Sequence, residues 1–146
     1  MSKKCTKKVR YPLVKIEELK RKAVFKNPKK LLYEISRIDG CLINEGIRSD
    51  YLVSEAGNSS VIVELKGSDV AHACDQVLNT VCHSSVKPLL YPKIGFLVVC
   101  SKYPRFDTFV AKAKLKCARR YKAGFHVVCD RGEFNIDRVV AIDGPF

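Results

Sequence analysis

An almost wholly apolar run, Ile94 to Cys100, constrains the fold of this chain more than any other feature. A strand that is covered on both faces has such a continuous run, whereas a strand with one wet face alternates. Val61 to Val63, a β-branched run, indicates a second buried strand. Amphipathic helical patterns flank the first run. Because strands separated by helices pair in parallel, the sequence predicts an α/β fold with a sheet covered on both faces.

The remaining periodicity divides the chain into predicted elements. Helices are expected at Val14–Lys22, Pro28–Ile38, Ser68–Val81 and Phe106–Tyr121. Strands are expected at Cys41–Asn44, Asp50–Glu55, Val61–Lys66, Ile94–Cys100, Phe125–Cys129 and Arg138–Ile142. Gly57-Asn58 supplies turn chemistry for an antiparallel hairpin, so the sheet is expected to be mixed.

The predicted helix over residues 28–38 rests on a start signal and a periodicity. Asn27 is a favourable N-cap, and Pro28 suits the first helical position. The apolar residues that recur at helical spacing are Leu31, Leu32, Ile35 and Ile38. Residues 27–146 are therefore expected to form a single domain that follows a basic N-terminal arm, residues 1–26.

The composition narrows the class of protein. Apolar residues make up 47% of the 146 positions, which argues against disorder. No apolar run approaches 18 residues, and no apolar segment follows the basic N-terminus, so neither a membrane span nor a secretory signal is expected. The seven cysteines are scattered and form no CxxC, which favours a reducing, cytoplasmic setting. Cys82-His83 and the nearby Cys74 and His72 fit no familiar zinc spacing.

The net charge of +12 predicts a polyanionic partner. Residues 1–30 hold 12 of the 27 Lys and Arg but only two acids. Two groups of cations are expected to contact nucleic acid, one in the N-terminal arm and one on the 106–121 helix. They are Lys3, Lys4, Lys7, Lys8, Arg10, Lys112, Lys116, Arg119 and Arg120. The alternative for both groups is a solvated surface without a partner.

Charged residues at the ends of two predicted strands form the candidate site. Side chains alternate along a strand, so Glu64 and Lys66 point to one face. If the hairpin pairs about a symmetric loop, Asp50 lies opposite Lys66, and Glu64 is its diagonal neighbour. A slip of one residue would move Asp50 to the other face.

Each residue type has a distinct chemical task. Asp50 and Glu64 offer hard oxygens for Mg²⁺, together with the backbone carbonyl of Leu65 and waters. Such a metal polarises a phosphoryl oxygen and lowers the pKa of a bound water. Lys66 would orient or deprotonate the attacking water and stabilise the developing charge. The structural alternative is an Asp50–Lys66 salt bridge with Glu64 at a solvated rim.

Asp50 followed by Glu64-Leu65-Lys66, in this order of elements, resembles the PD-(D/E)xK nuclease superfamily, whose fold is restriction-endonuclease-like. The resemblance implies metal binding by Asp50 and Glu64 and catalysis by Lys66, with Mg²⁺ as cofactor and Mn²⁺ as its substitute. It also implies roles for Glu34, as an acid of the first helix that completes the metal shell, and for Gln76, as the glutamine of the helix after the motif. Ser49 replaces the proline of the motif.

Small archaeal Holliday-junction resolvases have a similar size and layout. The resemblance therefore implies a DNA endonuclease that is structure-selective or weakly sequence-specific, and it suggests a homodimer. DNA is expected more than RNA. Two alternatives stay open: a non-catalytic nucleic-acid-binding module on the same fold, and an interaction subunit of a larger assembly.

Overall fold

A mixed sheet forms the centre of the molecule. The computed structural model describes residues 5–18, 21–46, 48–65, 70–101, 108–129 and 131–142. Within these ranges the strands are β1 (Thr6–Val9), β2 (Leu13–Glu18), β3 (Arg21–Lys26), β4 (Tyr33–Arg37), β5 (Tyr51–Glu55), β6 (Ser59–Leu65), β7 (Lys93–Cys100), β8 (Gly124–Cys129) and β9 (Arg131–Phe134). The helices are α1 (Val70–Val81), α2 (Thr108–Tyr121) and the short α3 (Ile136–Val139), and a 3-10 turn spans Lys87–Leu89.

Six of these strands form the large sheet, in the order β1-β4-β5-β6-β7-β8. The pairs from β1 to β6 are antiparallel, whereas β6–β7 and β7–β8 are parallel. The three remaining strands form a small sheet in the order β2-β3-β9. The predicted α/β class with a mixed sheet is therefore confirmed.

Strand β6 separates two apolar cores. All seven of its residues are buried, and its side chains alternate between the cores. Ile62 packs in a core with apolar residues of α1 and α2. Val61 and Val63 pack in the other core, with residues of the small sheet and α3. The molecule thus has three layers, and the continuous apolar run of β7 follows because both faces of the sheet are covered.

The predicted helix over Val14–Lys22 is wrong, because the described residues of this segment, 14–18 and 21–22, belong to the paired strands β2 and β3. Val14 and Ile16 are buried, whereas Lys15 and Glu17 are exposed. This strict alternation is the strand signature, and it outweighs the weak helical pattern. The hairpin packs in the same core as β6, so the residues of β2 and β3, which were assigned to the basic N-terminal arm, pack against the large sheet.

The predicted helix over Pro28–Ile38 is also wrong. The Asn27 side chain does accept a hydrogen bond from the N–H of Leu31 (2.9 Å), but it closes a turn and donates to the carbonyl of Tyr11. Strand β4 follows, with Tyr33 on the face of the small-sheet core. Asn27 therefore stabilises a turn and does not cap a helix. Asparagine is favoured in both places, because its side chain can bond nearby backbone groups in either one.

Strand β1 and a disulfide bear on two further predictions, the basic N-terminal arm and the reducing setting. Strand β1 pairs with β4 at the edge of the large sheet, and a disulfide joins Cys5 to Cys41. A disulfide does not fit the predicted reducing setting well. Residues 1–4 lie outside the described part. No helix within the described ranges is long and apolar enough to cross a membrane.

Two further predictions about strands are wrong. Around Cys41–Asn44 the structure has only an isolated bridge between Asp39 and Ile43. The segment predicted as a final strand, Arg138–Ile142, contains the end of α3, while β9 was missed. Strand β9 is only four residues long and pairs in parallel with β3, so its formation depends on distant chain segments.

A pair of neighbouring glycines allows the C-terminal segment to pack on the large sheet. Gly95 and Gly124 are paired in β7 and β8. A Cβ on Gly124 would lie 2.3 Å from the carbonyl oxygen of Val139 and 2.4 Å from that of Ala141. On Gly95 the closest approach, again to the Val139 oxygen, would be 2.9 Å. His126 Nε2 donates to the same Val139 oxygen (3.0 Å), since a carbonyl can only accept.

We expect Gly124→Ala to lower the free energy of unfolding by about 2–3 kcal/mol, because backbone must move to make room for the methyl group. Gly95→Ala should cost less, since its contacts are less severe. Urea denaturation followed by circular dichroism measures both. Equal costs, or no cost at Gly124, would contradict the packing described here.

Candidate active site

Asp50 and Glu64 are adjacent where β5 begins and β6 ends. The last ladder pair is Tyr51 with Val63; Asp50 directly precedes Tyr51, and Glu64 directly follows Val63. The ladder register differs by two residues from the one that would pair Asp50 with Lys66. Beyond the ladder, Asp50 contacts β6 through hydrogen bonds to the backbone of Val63 and Leu65.

The register differs because β6 starts earlier than predicted. Glu55 pairs with Ser59 across a three-residue turn in which Gly57 has a φ of +81°. Ser54 and Ser60 are both buried, and their hydroxyls lie 2.8 Å apart. Because the two hydroxyls bond each other across the strands, Ser54 and Ser60 can be buried as a ladder pair. The ladder therefore continues one step further, to the pair of Glu55 and Ser59.

Asp50 bridges the two strands with both its backbone and its side chain. Its N–H donates to the carbonyl of Val63 (3.2 Å), and its Oδ2 accepts from the N–H of Leu65 (2.8 Å). These contacts lie on either side of Glu64, which is 1% exposed. The Asp50 carboxylate is therefore fixed beside Glu64. Burial and the carboxylate of Glu18 raise the pKa of the neighbouring Tyr51 phenol.

Two polar residues of α1 hold the segment that leads into Asp50. Gln76 Nε2 donates to the carbonyl of Arg48 (2.9 Å), and Thr80 Oγ1 accepts from the N–H of Ser49 (2.8 Å). Gln76 is 8% exposed, and Thr80 is fully buried. Gln76 thus acts as a positioning residue in this structure. Thr80 was missed, although its i+4 spacing from Gln76 in an apolar stripe is a usable signal.

Glu34 does not lie where the resemblance placed it. It is a residue of β4 and not of a helix, and it pairs with Ser54. Ser54 is four residues from Asp50 along the chain, a separation of about 13 Å at the usual rise of a strand. The Glu34 carboxylate accepts a hydrogen bond from the Tyr91 hydroxyl (2.6 Å). Glu34 is therefore not brought together with Asp50 and Glu64.

Several predicted site residues fall outside the described ranges. They are Lys66, Lys3 and Lys4. Leu65 is described, and its N–H is engaged by Asp50. The role assigned to its carbonyl oxygen as a metal ligand stays a prediction.

The donor set at Asp50 and Glu64 fits Mg²⁺. This ion is usually held by one or two carboxylates and keeps several waters. Over the parts of the chain that the structure covers, no group of three or more His, Cys, Asp or Glu residues is arranged to hold a metal ion. The chain would thus offer two carboxylates, and waters or backbone carbonyls would complete the shell.

Cations that were predicted to contact nucleic acid lie on two surfaces. The cations of both groups that lie within the described ranges are exposed to solvent. Those on and after β1 are Lys7, Lys8 and Arg10, and those on α2 are Lys112, Lys116, Arg119 and Arg120. Lys7 and Lys8 point to opposite faces of the sheet, since they are neighbours in β1. Helix α2 belongs to the layer on the Ile62 side of the sheet, the face that carries Glu64.

Comparison with family models, with curated proteins and with solved structures found no match for this chain. The function of this chain is therefore inferred from the geometry of the site and the chemistry of its residues.

We expect Thr80→Val to lower the free energy of unfolding by about 1–3 kcal/mol, because the buried N–H of Ser49 loses its acceptor. Asn79→Ala is the matched control: the Asn79 side chain donates to the carbonyl of Asp75 on the exposed side of α1, and its loss should cost under about 0.5 kcal/mol. Chemical denaturation measures both. Equal effects would show that Thr80 does not hold the Asp50 segment.

Proposed function

We propose that this protein is a Mg²⁺-dependent endonuclease of the PD-(D/E)xK type that hydrolyses phosphodiester bonds in DNA. The observation that carries the proposal is the pair of hydrogen bonds between Asp50 and the backbone of Val63 and Leu65, which hold its carboxylate beside Glu64 at the end of a buried strand. The element order from β4 through β5, β6 and α1 to β7 supports a restriction-endonuclease-like core, although a strand and not a helix precedes it.

The residues have separate roles in this proposal. Asp50 and Glu64 would hold Mg²⁺, and the bound ion would supply polarisation of a phosphoryl oxygen and a lowered pKa for a bound water. Lys66 directly follows Leu65 in the sequence and orients the attacking water or stabilises the developing charge. Gln76 and Thr80 act through the backbone of Arg48 and Ser49, so they position Asp50 without contacting the substrate.

The central test is cleavage of labelled duplex, single-stranded and four-way-junction DNA, with Mg²⁺ and with EDTA. Asp50→Asn, Glu64→Gln and Lys66→Ala should each lower the cleavage rate about a thousand-fold or more, since several kcal/mol of transition-state stabilisation is lost. Asp50→Asn keeps an oxygen that can accept from Leu65, so its stability should change little.

Glu55→Gln is the matched control for these variants. Glu55 lies at the other end of β5, where its carboxylate accepts a hydrogen bond from the Tyr33 hydroxyl (3.4 Å). The Glu55→Gln variant should therefore leave the cleavage rate unchanged. DNA binding without cleavage of any substrate would overturn the nuclease proposal and favour a nucleic-acid-binding module. Association with protein alone, insensitive to salt, would favour an interaction subunit.

The cations of α2 should contribute to DNA binding through the phosphates. Replacing Lys112, Lys116, Arg119 and Arg120 by Gln should lower affinity for all sequences. The slope of log K against log salt should fall by about 0.9 for each cation that contacts a phosphate of a duplex.

The control replaces Lys15, Lys22, Lys26 and Lys29, which lie on or next to the small sheet on the other side of the molecule. It removes the same charge from the opposite layer and should change the slope less. Equal slopes for the two variants would show that α2 is not the contact surface. A homodimer, which would supply two sites for two cuts, and a cytoplasmic location both stay predictions.

A further inference from the structure

The helices leave part of the large sheet to be covered by a loop. Helix α1 packs on β6 and β7, and α2 packs on β8. Beyond β6, the connection before β7 crosses the same face: the N–H of Tyr91 donates to Ser60 Oγ (2.9 Å), and the Tyr91 hydroxyl donates to Glu34. A cavity of about 400 Å³ lies between this loop and strands β1, β4 and β5.

Alternate residues of three neighbouring strands form the floor of this cavity, here called the edge cleft. The lining residues are Thr6, Lys8, Glu34, Ser36, Leu52, Ser54 and Leu89. The strand residues are paired across the sheet in two rows, Thr6–Ser36–Leu52 and Lys8–Glu34–Ser54. The charged groups of this volume are the Glu34 carboxylate and the Lys8 ammonium group, whereas Ser36, Leu52 and Ser54 are buried in its floor.

The edge cleft lies on the sheet face that carries Glu64 of the candidate active site. Leu52 and Asp50 are two residues apart along the chain, so the first row of the cleft is about 7 Å from Asp50. Leu52 shares the helix-side core with Ile62, which lies two residues before Glu64. A phosphodiester held at Asp50 and Glu64 would place the adjoining nucleotide over the cleft.

We propose that the edge cleft binds one unstacked nucleotide of the substrate strand. This inference rests on the proposed nuclease function and assigns its substrate class: nucleic acid with an unpaired nucleotide next to the scissile phosphate. A volume of about 400 Å³ is that of a small-ligand pocket, and it is too small for a duplex. Enzymes that read an extruded base hold it by hydrogen bonds to its edge and by packing on its faces.

The lining residues match the parts of a nucleotide. Leu89 on the loop is only partly buried and offers apolar contact to the face of a base. The Glu34 carboxylate accepts from an exocyclic amino group, which cytosine and adenine have and thymine lacks. Its partner Tyr91 stays a donor, because the hydrogen bond to Glu34 raises the pKa of the phenol. Lys8 is exposed at the rim and is suited to a phosphate.

The test is anisotropy of the full chain in EDTA with duplexes that carry one unpaired deoxycytidine, one unpaired thymidine or no unpaired base. The protein should bind the deoxycytidine bulge about ten-fold or more tighter than the paired duplex, and also tighter than the thymidine bulge. Glu34→Gln should remove the preference for deoxycytidine over thymidine, whereas Glu55→Gln should keep it.

Lys8→Ala and Lys7→Ala form a second matched pair, since they remove the same charge from neighbouring positions on opposite faces. Lys7→Ala should weaken binding to all duplexes alike, and Lys8→Ala should weaken the bulged duplexes more. Free deoxycytidine monophosphate as competitor distinguishes a nucleotide within a strand from a free nucleotide. Displacement of the bulged duplex at equal concentrations would overturn the strand assignment.

The outcomes separate this inference from the proposed function. A preference for the bulge that depends on Lys8 and Glu34 supports the cleft even if no substrate is cleaved with Mg²⁺. Cleavage that needs Asp50 and Glu64, with equal binding of bulged and paired duplexes, overturns the cleft and leaves the nuclease. Absence of binding to every nucleic acid overturns both.

Discussion

The buried pairing of β6 with its two neighbours is the constraint on which the rest of the structure depends. Antiparallel β5 on one side and parallel β7 on the other satisfy its backbone, and its seven side chains are divided between two cores. A shift of one residue in either ladder would exchange these two sets of side chains and would place Glu64 in the small-sheet core. The same register therefore fixes both the layers and the position of the candidate site.

The elements that the sequence predicted well are those whose pattern is local. Amphipathic α1 and α2, the apolar run of β7 and the glycine turn after β5 all have signals contained within one segment. The N-terminal half was mispredicted because its signals were ambiguous. Asn27-Pro28 suits both a helix start and a turn, and only the pairing of β4 with β1 and β5 decides between them.

The candidate site was predicted only in part, because some of its contacts depend on local patterns and others on pairings that are distant in sequence. Asp50 and Glu64 were identified from strand ends, and the structure brings them together. Glu34 was assigned to a helix that does not form, so its place at the edge cleft depends on pairings distant in sequence. Gln76 and Thr80 form hydrogen bonds with Arg48 and Ser49, which lie about 30 residues earlier in the chain. Local sequence patterns do not predict contacts at this separation.

The disulfide between Cys5 and Cys41 closes a loop with a sequence separation of 36 that contains the β2–β3 hairpin and β4. A crosslink of this length limits the unfolded chain and is worth about 3–4 kcal/mol in the loop-entropy account. It also ties β1, which carries Thr6 and Lys8, to the segment beyond β4. The thiol reagent in a storage buffer therefore determines how firmly one wall of the edge cleft is attached, and a reduced preparation differs in this respect from an oxidised one.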